Sequence, residues 1–163
     1  MLNCDIGLIG FAGSGKDTAA QALISKGWRR KAFADHLKTL AYSFGWDGRK
    51  NEKGRKFLQD LGMAARAYNS NFWIEQAYFG MTAVPTAYTK IPFVWTDVRF
   101  ENEAEFIRKR GGVIIRIIRP NIPCGEHESE SGQNKIDADY TIVNDGTVEE
   151  LHNTILNLLE THD

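Results

Sequence analysis

One stretch constrains this chain more than any other: Ile6-Gly-Leu-Ile-Gly-Phe-Ala-Gly-Ser-Gly-Lys16. Ile6 to Gly10 reads as a short apolar strand and Gly10 to Gly15 as a glycine-rich turn. Lys16 to Lys26 then reads as a helix, with Ala19, Ala20, Leu23 and Ile24 on its inner side. Gly10 to Lys16 satisfies G-x-x-x-x-G-K in the context that gives this pattern its meaning, a strand that turns into a helix. The glycines let the backbone wrap a phosphate. The exposed N–H groups and the positive end of the helix favour its charge. Gly13, Ser14, Gly15 and Lys16 are thus candidates for holding a nucleotide, with Lys16 reaching the outer phosphates. The plain alternative is a strand-to-helix turn with no ligand, and the lysine and the context both argue against it.

One position departs from the usual pattern. Asp17 follows Lys16 where a Ser or Thr normally holds magnesium, and Thr18 comes one place later. Asp17 and Thr18 are therefore both metal candidates: Asp17 through water, or Thr18 shifted toward an inner phosphate. The structural alternative is that Asp17 only complements the positive helix start.

The rest of the chain alternates strands and helices. Trp28 to Phe33 can be a second strand, Asp35 to Phe44 a helix, and Trp46 to Asn51 a turn. A helix should carry Phe57, Leu61, Ala64, Ala65 and Tyr68 on one face, and a short one should run from about Asn71 to Phe79. Met81 to Lys90 reads as a loop, Ile91 to Thr96 as a strand and Glu101 to Arg110 as a helix. Val113 to Ile118 is almost wholly apolar, as suits a parallel strand covered on both faces. Pro120 to Gln133 is polar and interrupted by prolines and glycines, so a mobile loop is expected there. Tyr140 to Val143 is a last strand. Thr147-Val-Glu-Glu150 is a capping box, and Val148, Leu151, Ile155 and Leu158 line the final helix. This order predicts an α/β fold, a three-layer αβα arrangement on a parallel sheet of about five strands, with ligands at the C-terminal strand edge.

Length and charge narrow the function. The 163 residues fit a single domain spanning 1–163. With 20 basic and 21 acidic side chains there is no basic excess, so no nucleic-acid partner is expected. No signal segment or membrane span is expected either, and the two cysteines, Cys4 and Cys124, suggest a reducing cytoplasm. Cys124 and His127 lack a second pair with metal-site spacing. His36, His152 and His162 are isolated, and there is no nucleophile elbow.

A second constellation lies at Thr96-Asp97-Val98-Arg99, where a strand should end beside the phosphate loop. Asp97 can order a magnesium-bound water or accept a bond from the acceptor, and Arg99 can clamp a phosphate in a bidentate way. Asn102 and Glu103 follow at the next helix start. Glu101 and Glu105 fit an acidic first turn, with Glu105 placed to pair with Lys109. Arg66 can either cap its helix or bind a phosphate. Arg119 can close over the nucleotide, Arg116 reads as structural, and Phe72 and Trp73 are either core or a stacking platform for a base.

These pieces, in this order, resemble the deoxynucleoside monophosphate kinases of bacteriophages. The resemblance rests on Gly10-Phe-Ala-Gly-Ser-Gly-Lys-Asp-Thr18, Phe33-Ala-Asp-His-Leu-Lys38, Lys56-Phe-Leu-Gln-Asp-Leu-Gly62 with Arg66, Asn71-Phe-Trp73, Thr96-Asp-Val-Arg-Phe-Glu-Asn-Glu103 and Asn144-Asp-Gly-Thr147. It implies a P-loop kinase fold with ATP and magnesium, acting on a small nucleotide in the cytoplasm, that of the host if the source is viral. It further implies that Asp35, Lys38, Arg66, Trp73, Arg99, Asn102 and Glu103 serve the acceptor, in a helical region of about 35–80. Asn144, Asp145 and Gly146 would touch the ATP base, and Arg119 would belong to a lid of about 120–135. Dephospho-coenzyme A kinase and phosphomevalonate kinase resemble parts of the same pattern, and a nucleotide-binding regulator without turnover is a reading from another class. The accepted base, the sugar preference and the oligomeric state, whether homodimer or not, are not legible in these residues.

Overall fold

The structure is a computed structural model that describes residues 3–82, 91–120, 122 and 132–160. Cys124, His127, His162, most of the 120–135 stretch and most of the expected Met81–Lys90 loop lie outside the described residues. Two compact units are present. One comprises residues 1–31 and 90–163, and the other residues 32–89.

The first unit is built on five strands, β1 (Ile6–Ile9), β2 (Arg29–Lys31), β3 (Phe93–Trp95), β4 (Val113–Ile118) and β5 (Tyr140–Val143). All pair in parallel in the order β2-β3-β1-β4-β5. β1 is central because it is apolar on both faces. Ile6 and Leu8 point into a core with Ile115 and Ile117 of β4, Leu23 of helix α1 (Lys16–Ser25), and Leu151 and Ile155 of helix α6 (Val148–Glu160). On the opposite face Gly7 leaves no room for a side chain. A Cβ there would lie 2.6 Å from Ile114 and 2.9 Å from Ile107 of helix α5 (Glu101–Lys109). Helices thus cover both faces, the expected three layers.

Some faces differ in phase from the sequence reading. On α1, Ala22 is buried and Ile24 is 41% exposed. On α6, Leu151, Ile155 and Leu159 form the buried row while Val148 is 60% exposed, a strict four-residue spacing in place of the wider stripe. The capping box at the α6 start is present. Glu150 N–H donates to Thr147 Oγ1 at 3.2 Å, and Thr147 N–H donates to the Glu150 carboxylate at 2.6 Å. These bonds hold the Glu150 carboxyl below its ordinary range, the backbone N–H contributing most. A carboxyl depressed in the folded state adds stability above its ordinary pKa and loses it as pH falls through the depressed value. Thr147→Ala is therefore expected to lower Tm by a few degrees at neutral pH, with the gap to wild type narrowing in acid; thermal unfolding at several pH values measures it.

Asp5 braces the sheet from below. Its buried carboxylate accepts from Phe93 N–H at 2.9 Å and from Arg110 Nε at 2.9 Å. Burial and this neighbouring charge push the Cys4 thiol upward, only partly offset by Val113 N–H, so Cys4 is disfavoured as a thiolate.

The second unit holds helices α2 (Ala34–Ser43), α3 (Glu52–Tyr68) and α4 (Phe72–Thr82), which pack on one another. Asn51 caps α3, its side chain accepting from Gly54 N–H at 2.9 Å. The expected inner face of α3 is corrected here. Gly54 and Gly62 are the buried positions, and Tyr68 is 89% exposed. Trp73 of α4 donates its indole N–H to the Gly62 carbonyl at 3.1 Å, and Leu37 of α2 packs beside Gly62, 3.4 Å from where a Cβ would lie.

Candidate active site

Parallel pairing fixes what can meet at the sheet edge. β1 and β3 are neighbours in register, Ile6 with Val94 and Gly7 with Trp95, so the residues that follow each strand emerge side by side. After β1 comes Gly10 to Lys16. Gly10, Gly13 and Gly15 all take positive φ, at 145°, 80° and 106°. At Gly10 a Cβ would lie 2.3 Å from the Ile117 carbonyl, and at Gly15 it would lie 2.5 Å from Asn144 Nδ2. Glycine is required at both by conformation and by space.

Lys16 opens α1, with Gly15 as its N-cap residue. Its Nζ is folded back over the loop and donates to Gly10 O at 2.6 Å and Phe11 O at 2.8 Å. The ammonium is therefore already held at the mouth of the loop. Asp17, exposed in the first turn, and Thr18, half-buried beside it, follow on the helix. The Thr18 carbonyl is 3.0 Å from His152 Nε2 of α6, so this histidine, isolated in sequence, ties α6 to the start of α1.

After β3 the chain continues through buried Thr96, whose N–H donates to Lys31 O at 3.1 Å, to Asp97 and Arg99. Gly10, Lys16, Asp97, Arg99 and Gln133 line one cavity, which unites both expected constellations. Glu103 is buried at the start of α5. It is 2% exposed, and its carboxylate accepts from the backbone N–H of Arg99 at 2.8 Å and of Phe100 at 3.3 Å. Glu103 shapes the turn that presents Arg99, and Asn102 is half-buried in the same first turn of α5. Glu105 pairs with Lys109 at 3.4 Å on the outer surface.

Asn144, buried just past the end of β5, donates from its side-chain amide to Ser14 O of the phosphate loop at 2.8 Å. It is a loop clamp, while Asp145 and Gly146 line a separate concavity of about 230 Å³ with Val143, Leu151 and Thr154. Arg119, one residue past β4, is exposed and is not among the residues lining the Lys16 cavity. In the helical unit, Asp35 accepts from Ala32 N–H at 3.1 Å at the start of α2, with Lys38 one turn on, and Arg66 lies in the last turn of α3. Trp73 is 3% exposed, packed within the helical unit with its indole N–H bonded to Gly62 O.

The chain matches the model of the deoxynucleotide monophosphate kinase family over residues 46–155. The chain belongs to this family. That match begins after the phosphate loop, so the loop's geometry and the family match are independent indications. Among relatives, a protein of Acanthamoeba polyphaga mimivirus named as a candidate deoxynucleotide monophosphate kinase is 32% identical over 184 aligned residues, covering 95% of each chain. The deoxynucleotide monophosphate kinase of Enterobacteria phage T4 is 33% identical over 69 residues, 42% of this chain and 29% of its own length. Among solved structures, shikimate kinase from Aquifex aeolicus superposes with a TM-score of 0.54 over 96% of each chain at 20% identity, a likeness of fold. The family, the loop and the sheet order together make this protein a nucleotide kinase of P-loop fold. Among the described residues no helix is long and apolar enough to cross a membrane.

Proposed function

We propose that the protein transfers the γ-phosphate of ATP to the phosphate of a deoxynucleoside monophosphate, using magnesium. The observation that carries this reading is the single cavity shared by Lys16, Asp97 and Arg99 at the C-terminal edge of β1 and β3. Phosphoryl transfer asks for positioning and charge neutralisation more than covalent chemistry. The loop N–H groups and Lys16 hold the triphosphate, Lys16 exchanging its carbonyl partners for phosphate oxygens. Arg99 offers a planar fork to the phosphate that attacks. No general base is required, because the attacking phosphate oxygen is already an anion. Arg66 and Lys38 are the cations of the helical unit that we propose for acceptor recognition, and Asp145 and Gly146 for the ATP base. Arg119 is proposed only as a cation able to close over the bound triphosphate.

The oxygen donors fit magnesium. Magnesium keeps several waters and binds through one or two carboxylates plus substrate phosphates, so an all-protein cage is not needed. Among the described residues no cluster of three or more His, Cys, Asp or Glu side chains offers such a cage, whereas Asp17 and Asp97 each bring a carboxylate to the loop edge. When bound, the ion would neutralise charge across the β- and γ-phosphates. We favour Asp17 as its support. Asp17→Asn is expected to raise the magnesium concentration for half-maximal rate severalfold, with Thr18→Ala closer to wild type. A magnesium titration of both variants at saturating ATP decides it: the reverse order moves the role to Thr18, and no effect from either leaves Asp17 as a helix-start charge.

The whole reading is tested by coupled ADP release over a panel of deoxy- and ribonucleoside monophosphates, dephospho-coenzyme A and phosphomevalonate. Turnover with one or more deoxynucleotides is expected. Tight ATP binding without turnover of any acceptor would point instead to a nucleotide-binding regulator.

A further inference from the structure

Gln133 is a buried polar side chain in the Lys16 cavity to which no role has been assigned. It lies on a 3-10 turn (Gly132–Lys135) and is 3% exposed. Its Oε1 accepts from Gly10 N–H at 2.9 Å, the first amide of the phosphate loop. The turn that carries it is fixed from β4, because Arg116 Nη2 donates to Gln133 O at 3.3 Å and also to Ile136 O. At Gly132 the same turn passes close to the other constellation, a Cβ there lying 3.1 Å from the Arg99 carbonyl. Gln133 is thus braced against both constellations of the site.

The Gly10 contact decides which way the amide faces. An N–H donor must meet the amide oxygen, since the flipped orientation would set two donors against each other. That leaves Nε2, with two N–H groups, turned away from Gly10. Among the described residues the buried polar atoms without a partner are Ser14 Oγ and His36 Nδ1, and Gln133 Nε2 is not one of them. Gln133 lines a cavity with Lys16, Asp97 and Arg99, and its Oε1 is already taken by Gly10 N–H, so the amide N–H groups are what it can offer to a ligand there. A pair of amide N–H donors beside a lysine and an arginine suits a phosphoryl oxygen.

We infer that Gln133 is a phosphate-contacting residue, donating from Nε2 to an oxygen of the transferring γ-phosphate while its Oε1 holds the loop amide. The inference rests on ATP occupying the loop, as proposed above. It makes Gln133 a sensor for the third phosphate: ADP would leave its donors unused.

The test is a titration of the full chain with ATP and with ADP, each with magnesium, comparing wild type, Gln133→Glu and Gln133→Met by calorimetry at about pH 8. Glutamate keeps an acceptor for Gly10 N–H and puts an anion where the donor was. Q133E is expected to lower ATP affinity tenfold or more while ADP affinity changes less than about threefold, as for the loss of one hydrogen bond to a charged group. Acidification should narrow the ATP deficit, since a protonated carboxyl regains an O–H donor. Methionine keeps the length without charge or donor, and serves should Q133E fail to fold; it should cost ATP about fivefold and ADP little. Equal losses for ATP and ADP, or none, would assign Gln133 to bracing alone. Because the readout is binding, it separates from the kinase assignment. A wild type that binds ATP and phosphorylates nothing removes the acceptor reading, and the ATP-to-ADP ratio still judges Gln133.

Discussion

Lys16→Ala is expected to lower turnover by about a hundredfold or more and to leave the fold intact. The magnitude is that of losing one preorganised charge at the group being transferred. The fold should survive because the loop is not built on the lysine. Its shape rests on the positive φ of Gly10, Gly13 and Gly15, on Asn144 donating to Ser14 O, and on Gln133 accepting from Gly10 N–H. The variant gives up bonds to carbonyls at a half-exposed loop mouth, Gly10 O and Phe11 O among them, and those carbonyls can turn to water. Steady-state rates with a competent acceptor, alongside circular dichroism and a melting curve, provide the check. A folded Lys16→Ala protein with near-normal kcat would remove the phosphate loop from the chemistry. A Tm shift of more than a few degrees would mean that the ammonium also holds the loop together.

The sheet and the phosphate loop were legible in the sequence because their signals are local. Val113–Ile118 and Tyr140–Val143 are apolar runs bounded by breakers, and the structure gives them the same limits. The glycine spacing around Lys16 prescribes a backbone shape that few other sequences can take. The placement of Thr96–Arg99 beside the loop followed from parallel order alone, since strand ends in such a sheet share one edge. Faces were less legible. The burial of Gly62 in place of Tyr68 reflects what packs beside it, Leu37 of α2 and the Trp73 indole of α4, and not α3 itself. The same holds for Trp73 itself, whose aromatic character was visible while its buried hydrogen bond was not. The backbone partners of single polar residues were not legible, even where the residue itself was a candidate. Glu103, Asn144 and Gln133 each bond to backbone groups of the two site loops, Asn144 and Gln133 to the phosphate loop at 130 and 123 residues' separation. No spacing rule reaches that far. A buried glutamine inside a polar, proline-broken stretch looks like its exposed neighbours until the turn carrying it is seen to be held by Arg116.

Arg99→Ala is expected to lower kcat/KM for the monophosphate by about tenfold to a hundredfold, with ATP binding measured alone little changed. The range follows from the loss of a charge-assisted, bidentate contact with a phosphate, worth about 1.5–3 kcal/mol. Arg99→Lys should recover only part of this, because an ammonium keeps the charge and loses the planar fork. The structure sharpens the comparison with a purely architectural role. If Arg99 served chiefly to pin the strand-to-helix turn, its loss should unfold that turn. The turn is instead held by Glu103, whose buried carboxylate receives the main-chain N–H groups of residues 99 and 100, and any side chain at position 99 preserves those bonds. Arg99→Ala and Arg99→Lys should therefore keep the wild-type Tm within a few degrees. Glu103→Ala should lower both Tm and acceptor use, since it strands two buried N–H donors and releases the segment carrying Asp97 and Arg99. The split between parameters then locates the contact. A rise in acceptor KM alone places Arg99 on the ground-state phosphate, and a matching fall in kcat places it on the charge that moves during transfer. An Arg99→Ala enzyme with a depressed Tm and an unaltered acceptor KM would reject both, leaving acceptor recognition to Arg66 and Lys38.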